Sequence, residues 1–155
     1  MRKLAVVTMM AASFVAQAQL ATKKALTLDA AKAIVAAAEA EAKKNNFTMV
    51  ICVVDDGGNV LLLERMDGTQ LGSVQVAQDK AMTALNFKRP TKALEDAVAG
   101  GRNAVLKLTG AIPIEGGIPI TVGGQIIGAV GASGGSSPQD AQVAAAGVKV
   151  AEAMK

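Results

Sequence analysis

The sequence predicts an α/β (α+β) domain, a mainly antiparallel sheet with helices on its faces. Three observations carry that prediction. Apolar residues recur at helical spacing over 28–44, 71–87 and 137–154. Between these helices lie β-rich runs joined by tight turns, Asp55-Asp56-Gly57-Gly58-Asn59 and Gly123-Gly124. Strands linked so briefly must run antiparallel. The third observation is glycine. The stretch Glu115–Gly135, EGGIPITVGGQIIGAVGASGG, holds eight of the chain's 16 glycines.

The elements follow in order. Arg2 and Lys3, the apolar run Leu4–Val15 and Ala16-Gln17-Ala18 are expected to form a secretory signal peptide over 1–18. The run is too short to span a bilayer, and no later segment is longer. Residues 19–26 read as a flexible mature N-terminus, and 27–155 as one domain. Thr27 caps a helix over Leu28–Lys44, with Ala31, Ile34, Val35, Ala38 and Ala42 on its apolar stripe. Phe47–Val54 is almost continuously apolar, as a strand buried on both faces would be. Val60–Met66 returns beside it as a hairpin. A helix over Leu71–Phe87 follows, and Pro90 breaks it. Thr91 caps a short helix that Gly100-Gly101 terminates.

Arg102–Thr109 shows no clear period. Ala111–Ile114 reads as a short edge strand, because Pro113 cannot donate to a ladder. Ile118–Val122 and Gln125–Val130 form the second hairpin. Its Gly-Gly link permits the positive φ angles such a turn needs. Ser137 then caps the last helix, with Pro138 at its first position.

Composition removes several function classes. The chain has 155 residues, 16 basic and 13 acidic. Beyond the leader, 14 basic residues face the same 13 acids, and no dense basic patch remains. Phe47 and Phe87 are the only aromatics there, so nucleic-acid binding by stacking and phosphate neutralisation has no support. The chain contains no histidine. That excludes histidine general bases, Ser-His-Asp triads, His-based zinc sites and His-ligated haem. Cys52 is the single cysteine, so no intrachain disulfide forms. Lying mid-strand, it reads as a buried, inert thiol.

Several residues are candidates for chemistry. The loop Gly131–Ser137 runs into a helix N-terminus. It is either an anion cradle of free N–H groups or a strand-to-helix link that needs unusual backbone angles. Glu115, beside Gly116-Gly117, could act as an acid or base, or be a solvated loop carboxylate. Asp79, with Lys80, could line the same cleft or lie on a solvated helix face. Arg65 could anchor a carboxylate or be a surface cation, and it points away from Glu64 on the same strand. Asp55-Asp56 offers too few convergent ligands for a metal and reads as a turn.

VVDDGGNVLLLERMDG (53–68), QDKAMTALNF (78–87), EGGIPITVGGQIIGAVGASGG (115–135) and SPQDAQVAAAGV (137–148) resemble the GlcG/HbpS family. That family is also called the haem-degrading domain family and includes the C-terminal domain of PduO-type proteins. The resemblance implies a profilin-like fold on a five-stranded antiparallel sheet and a homo-oligomer. Together with the expected leader, it implies an exported, periplasmic or secreted protein that binds a small molecule, with haem or a related tetrapyrrole as the candidate. Haem-binding relatives of the PduO type use an axial histidine, which this chain lacks. If haem binds, its iron would have to take Met, Lys, Cys or water, the candidates among the sulfur residues being Met49, Met66, Met82, Met154 and Cys52. The expected ligand-binding residues are Gly116, Gly117, Ile118, Pro119, Gly131, Ser133, Gly134 and Arg65. The alternatives are an enzyme acting on a small organic acid through Glu115 or Asp79, and an oligomeric scaffold in which the glycines serve subunit packing.

Overall fold

The computed structural model describes residues 19–154. The expected signal peptide, 1–18, lies outside the described residues. Helix α1 spans Leu28–Lys44, β1 Val50–Asp55, β2 Val60–Arg65, α2 Ser73–Phe87 and α3 Lys92–Ala99. A 3₁₀ turn covers Asn103–Lys107. Strand β3 follows at Gly117–Val122, β4 at Gln125–Ser133 and α4 at Ser137–Glu152. The sheet order is β2-β1-β4-β3, and every pairing is antiparallel.

Three layers result. Helices α1 and α4 pack against each other and against one sheet face. There Ile34, Val35, Ala38, Val143, Ala144 and Val148 meet Ile51, Val53, Ile120 and Val130. Helix α2 covers the other face, setting Ala77, Ala81 and Ala84 over Val50, Cys52, Val54 and Ala129. Strand β1 is buried on both sides, which explains its unbroken apolar run.

Local chemistry explains most boundaries. Thr27 accepts a hydrogen bond from the Ala30 N–H at 3.2 Å and starts α1. Gly123 and Gly124 take φ of 60° and 79°, the left-handed pair that a two-residue hairpin requires. Asp55 closes the other hairpin, its Oδ1 accepting from the N–H groups of Gly57 and Asn59 at 2.9 and 2.8 Å. These bonds, led by that from Asn59, hold its carboxyl below the usual range. The turn reading of Asp55-Asp56 therefore stands.

Several expectations are corrected. Among the described residues the sheet has four strands, not five. Ala111–Ile114 is no strand, because its donors are already engaged. The Ala111 N–H reaches Leu108 O at 3.3 Å, the Ile112 N–H reaches Thr83 Oγ1 at 2.9 Å, and Pro113 has none. Strand β4 continues three residues beyond Val130, into the glycine-rich run. Helix α4 is capped by Ser136 rather than Ser137, and Gln139 accepts from the Ser136 N–H at 2.9 Å. Thr91 precedes α3 without a side-chain cap bond. Residues 23–26 run against the hairpin ends. The Lys24 N–H donates to Gln125 at 3.4 Å, Lys23 pairs with Asp56, and Leu26 is buried.

Candidate functional site

The glycine stretch forms the seat of helix α2. Leu63, Cys52, Gly131 and Gly117 lie in one row across the four strands. A Cβ at Gly131 would come within 3.0 Å of Ala77 O and Ala81 N, and one at Gly117 equally close to Lys80 O. The group that approaches these two backbones is thus the α2 main chain. Gly134 takes φ of +154° and lies against the main chain at Thr48. The Ser133 hydroxyl bonds that of Ser73, the first α2 residue, at 3.1 Å. Ile118 packs into the core shared with α1 and α4, and Pro119 pairs with Ala129. Arg65 is exposed. It is aligned through Val50 with Ser133, so both stand on the α2 side of the sheet.

Beneath this seat lies a feature that sequence reading missed. Lys80 Nζ meets Asp140 Oδ2 at 2.6 Å, with side chains 1% and 4% exposed. Asp140 also accepts from the Gly135 N–H at 3.0 Å. Burial pushes the Asp140 carboxyl up, against the pull of Lys80 and of the Gly135 N–H. Gly116, with φ of +126°, passes beside both groups, where a side chain would displace them. The pair joins the helix on one sheet face to the helix on the other. Thr91, wholly buried, adds a second fastening. Its N–H donates to Gly117 O at 3.0 Å, and its hydroxyl accepts from the Gly117 N–H at 2.9 Å. The only sequence signals were a lysine on an otherwise alanine-rich inner stripe and an acid four residues after a serine cap.

The two candidate acids do not meet. Glu115 is half-buried, and its N–H donates to Glu95 Oε2. Asp79 accepts from Gln75 at 2.9 Å and borders a cavity of about 380 Å³ with Met82, Asn86 and Gly110–Ile112. No group of three or more His, Cys, Asp or Glu residues able to hold a metal occurs among the described residues. No helix among them is long and apolar enough to cross a membrane.

The opposite end of the sheet is open. Lys24, Leu26, Ala30, Val122, Ile127 and Met154 line a cavity of about 340 Å³, mostly apolar. A second cavity of about 360 Å³ shares Lys24 and adds Lys23, Lys88, Gly124, Gln125 and Ile126. Lys24 and Lys88 have no ion-pair partner among the described residues. An apolar chamber beside a cationic one is complementary to an amphipathic anion. The remaining sulfur atoms are placed differently. Met49 and Cys52 are wholly buried, and burial pushes the Cys52 thiol up to about 12. Met66 packs half-buried on the core. Met82 borders the cavity that carries Asp79, a carboxylate unsuited to an anion. Met154 therefore combines a thioether, apolar walls and neighbouring ammonium groups. That donor set fits a tetrapyrrole with acidic side chains.

The comparisons with known proteins agree with the architecture. The family profile described as haem degrading protein HbpS-like matches residues 26–149. Protein GlcG of Escherichia coli K12 is 46% identical over 112 residues, which is 72% of this chain and 84% of that protein. The crystal structure of a double mutant of HbpS from Streptomyces reticuli aligns with TM-score 0.77 and 34% identity, covering 90% of this chain and 97% of that one. The crystal structure of a PduOC:heme complex aligns with TM-score 0.74 and 29% identity, covering 82% and 95%. From the profile, the identity to GlcG and the shared fold, the chain belongs to the GlcG/HbpS family.

Proposed function

We propose that this protein binds haem or a related tetrapyrrole without a histidine ligand, at the paired cavities beside the β3–β4 turn. The observation that carries the reading is the shared Lys24, which joins an apolar chamber ending at Met154 to a lysine-lined one. The family and its haem-complex neighbour support a haem role. Leu26, Val122 and Ile127 would cover the macrocycle and keep water from it. Lys24 and Lys88 would hold the propionates, and Met154 would offer sulfur to the iron. Bound haem would supply one-electron chemistry at iron. A thioether without histidine is a weak anchor, so affinity is expected below that of His-ligated relatives. We further propose an exported, periplasmic or secreted homo-oligomer, on the strength of the leader-like 1–18 segment and the family.

Hemin titration followed at the Soret band tests the site. The expected result is a saturable red shift that Met154→Leu alters in position and Lys24→Gln weakens. An unchanged hemin spectrum at stoichiometric protein would overturn the reading. Native mass spectrometry of protein from its source reads out the rest, with the N-terminus expected at Gln19 and a multiple of the subunit mass.

A further inference from the structure

A fourth cavity is built differently from those discussed so far. It lies between the end of α2, helix α3 and the 3₁₀ turn, holds about 280 Å³, and is walled by Phe87, Leu94 and Val105. Leu94 and Val105 are themselves buried, so these walls are fixed parts of the core edge. Two guanidinium groups, Arg89 and Arg102, also line it, and no acid does. The acids of α3 are engaged elsewhere. Asp96 pairs with Lys92, and Glu95 accepts from the Glu115 N–H. Neither arginine has an ion-pair partner among the described residues. Arg89 is oriented by its Nε–H, which donates to Phe87 O at 3.0 Å. Arg102 is placed by the turn at Gly101, with φ of +91°, and by its own N–H on Ala97 O at 2.9 Å.

From this we infer a second ligand site, one that takes a small carboxylate with an apolar body. The planar guanidinium fork matches a carboxylate through two parallel N–H bonds. The hydrocarbon part would fill the space between Phe87, Leu94 and Val105, replacing water against apolar walls. Inorganic phosphate offers the charge but leaves those walls wet. A neutral alcohol fills the walls but leaves the guanidinium groups without a partner.

The composition provides the readout. With no Trp, Tyr or His, the three phenylalanines carry all the aromatic protons of the chain. Titration of the purified protein with hexanoate, followed by proton NMR, is expected to move the Phe87 ring signals saturably and leave those of Phe47 in place. Arg102→Gln, in an exposed turn, should weaken hexanoate about tenfold, the loss of one charge-assisted contact. The same variant should leave the weak affinity for hexan-1-ol unchanged. A flat hexanoate titration would overturn the inference. So would equal affinity in wild type and Arg102→Gln, or displacement of hexanoate by equimolar inorganic phosphate. Hemin binding is expected to persist in Arg102→Gln and to fall in Lys24→Gln, so failure of this site and failure of the haem reading are separable.

Discussion

The two faces of the sheet are packed by opposite means. Towards α1 and α4 the contact is made by large branched side chains, with Ile34, Ile51, Val53, Ile120, Val130 and Val143 interdigitating. Towards α2 it is made by near absence of side chain. Ala77 and Ala81 rest on Gly131, and Lys80 O rests on Gly117. A side-chain interface can lose a methyl group and partly relax around the gap, whereas a backbone-on-backbone interface has no room to gain one. The difference shows what the glycine density does. It lets a helix lie flat on the sheet, and the cavities lie at the flanks and the far end of the molecule.

Matched substitutions test the contrast most directly. Gly131→Ala puts a methyl within 3.0 Å of α2 main-chain atoms on both sides, and the helix must lift to admit it. The expected loss exceeds about 4 kcal/mol, enough to unfold a domain of ordinary stability. Ile51→Val, equally buried on the other face, removes one methylene. It should lower stability by about 0.5–1.5 kcal/mol. Urea midpoints of the two variants read out the difference, and comparable midpoints would show that the α2 contact yields as the other face does.

Next in size is the fastening between the layers. Lys80→Met leaves Asp140 buried, with the Gly135 N–H as its remaining partner. Removing one member of a buried pair costs about 3–5 kcal/mol. The double variant Lys80→Met/Asp140→Asn has no buried charge left and should recover most of that loss in the same urea assay. A double variant no more stable than Lys80→Met would place the cost in packing around the lysine stem.

The two faces were not equally legible in the sequence. Helix α1 could be placed from Leu28 to Lys44 because its signals are local: a threonine cap, a 3.6-residue stripe and Asn45 at its end. The Gly123-Gly124 hairpin was legible for the same reason. The α2 face was not, because its logic joins residues far apart in the chain. Gly117 and Gly131 look alike as ligand cradles and as helix seats until the helix above them is known. Lys80 and Asp140 are 60 positions apart, and each alone resembles a surface charge. Ala111–Ile114 has the composition of an edge strand, but Thr83 on α2 takes the donor that a ladder would need. The open end escaped notice because Lys24 and Met154, near opposite ends of the chain, meet only in the fold.

The smallest expected effect lies at the margin of the branched face. Glu64 projects from β2 towards α1. Its Oε1 is buried without a hydrogen-bond partner, the only such side-chain atom among the described residues. Burial raises its carboxyl first, Glu39 on α1 raises it further, and Lys43 on α1 offsets part of the rise. The sign follows from proton linkage. With its folded pKa above the unfolded value, the native state binds the Glu64 proton more tightly over the window between them. Stability contributed by this group is therefore full below the ordinary glutamate range and declines as pH rises through the folded value. Glu64→Gln keeps the shape and cannot ionise, so it should flatten this part of the stability–pH curve and raise stability slightly at neutral pH. Thermal midpoints of wild type and Glu64→Gln across pH 4 to 8 check it, since the curves should converge at the acid end and separate towards neutrality. Parallel curves would mean that Lys43 and water already satisfy the carboxylate. The branched face would then admit a charge at its margin, where the glycine face admits no side chain.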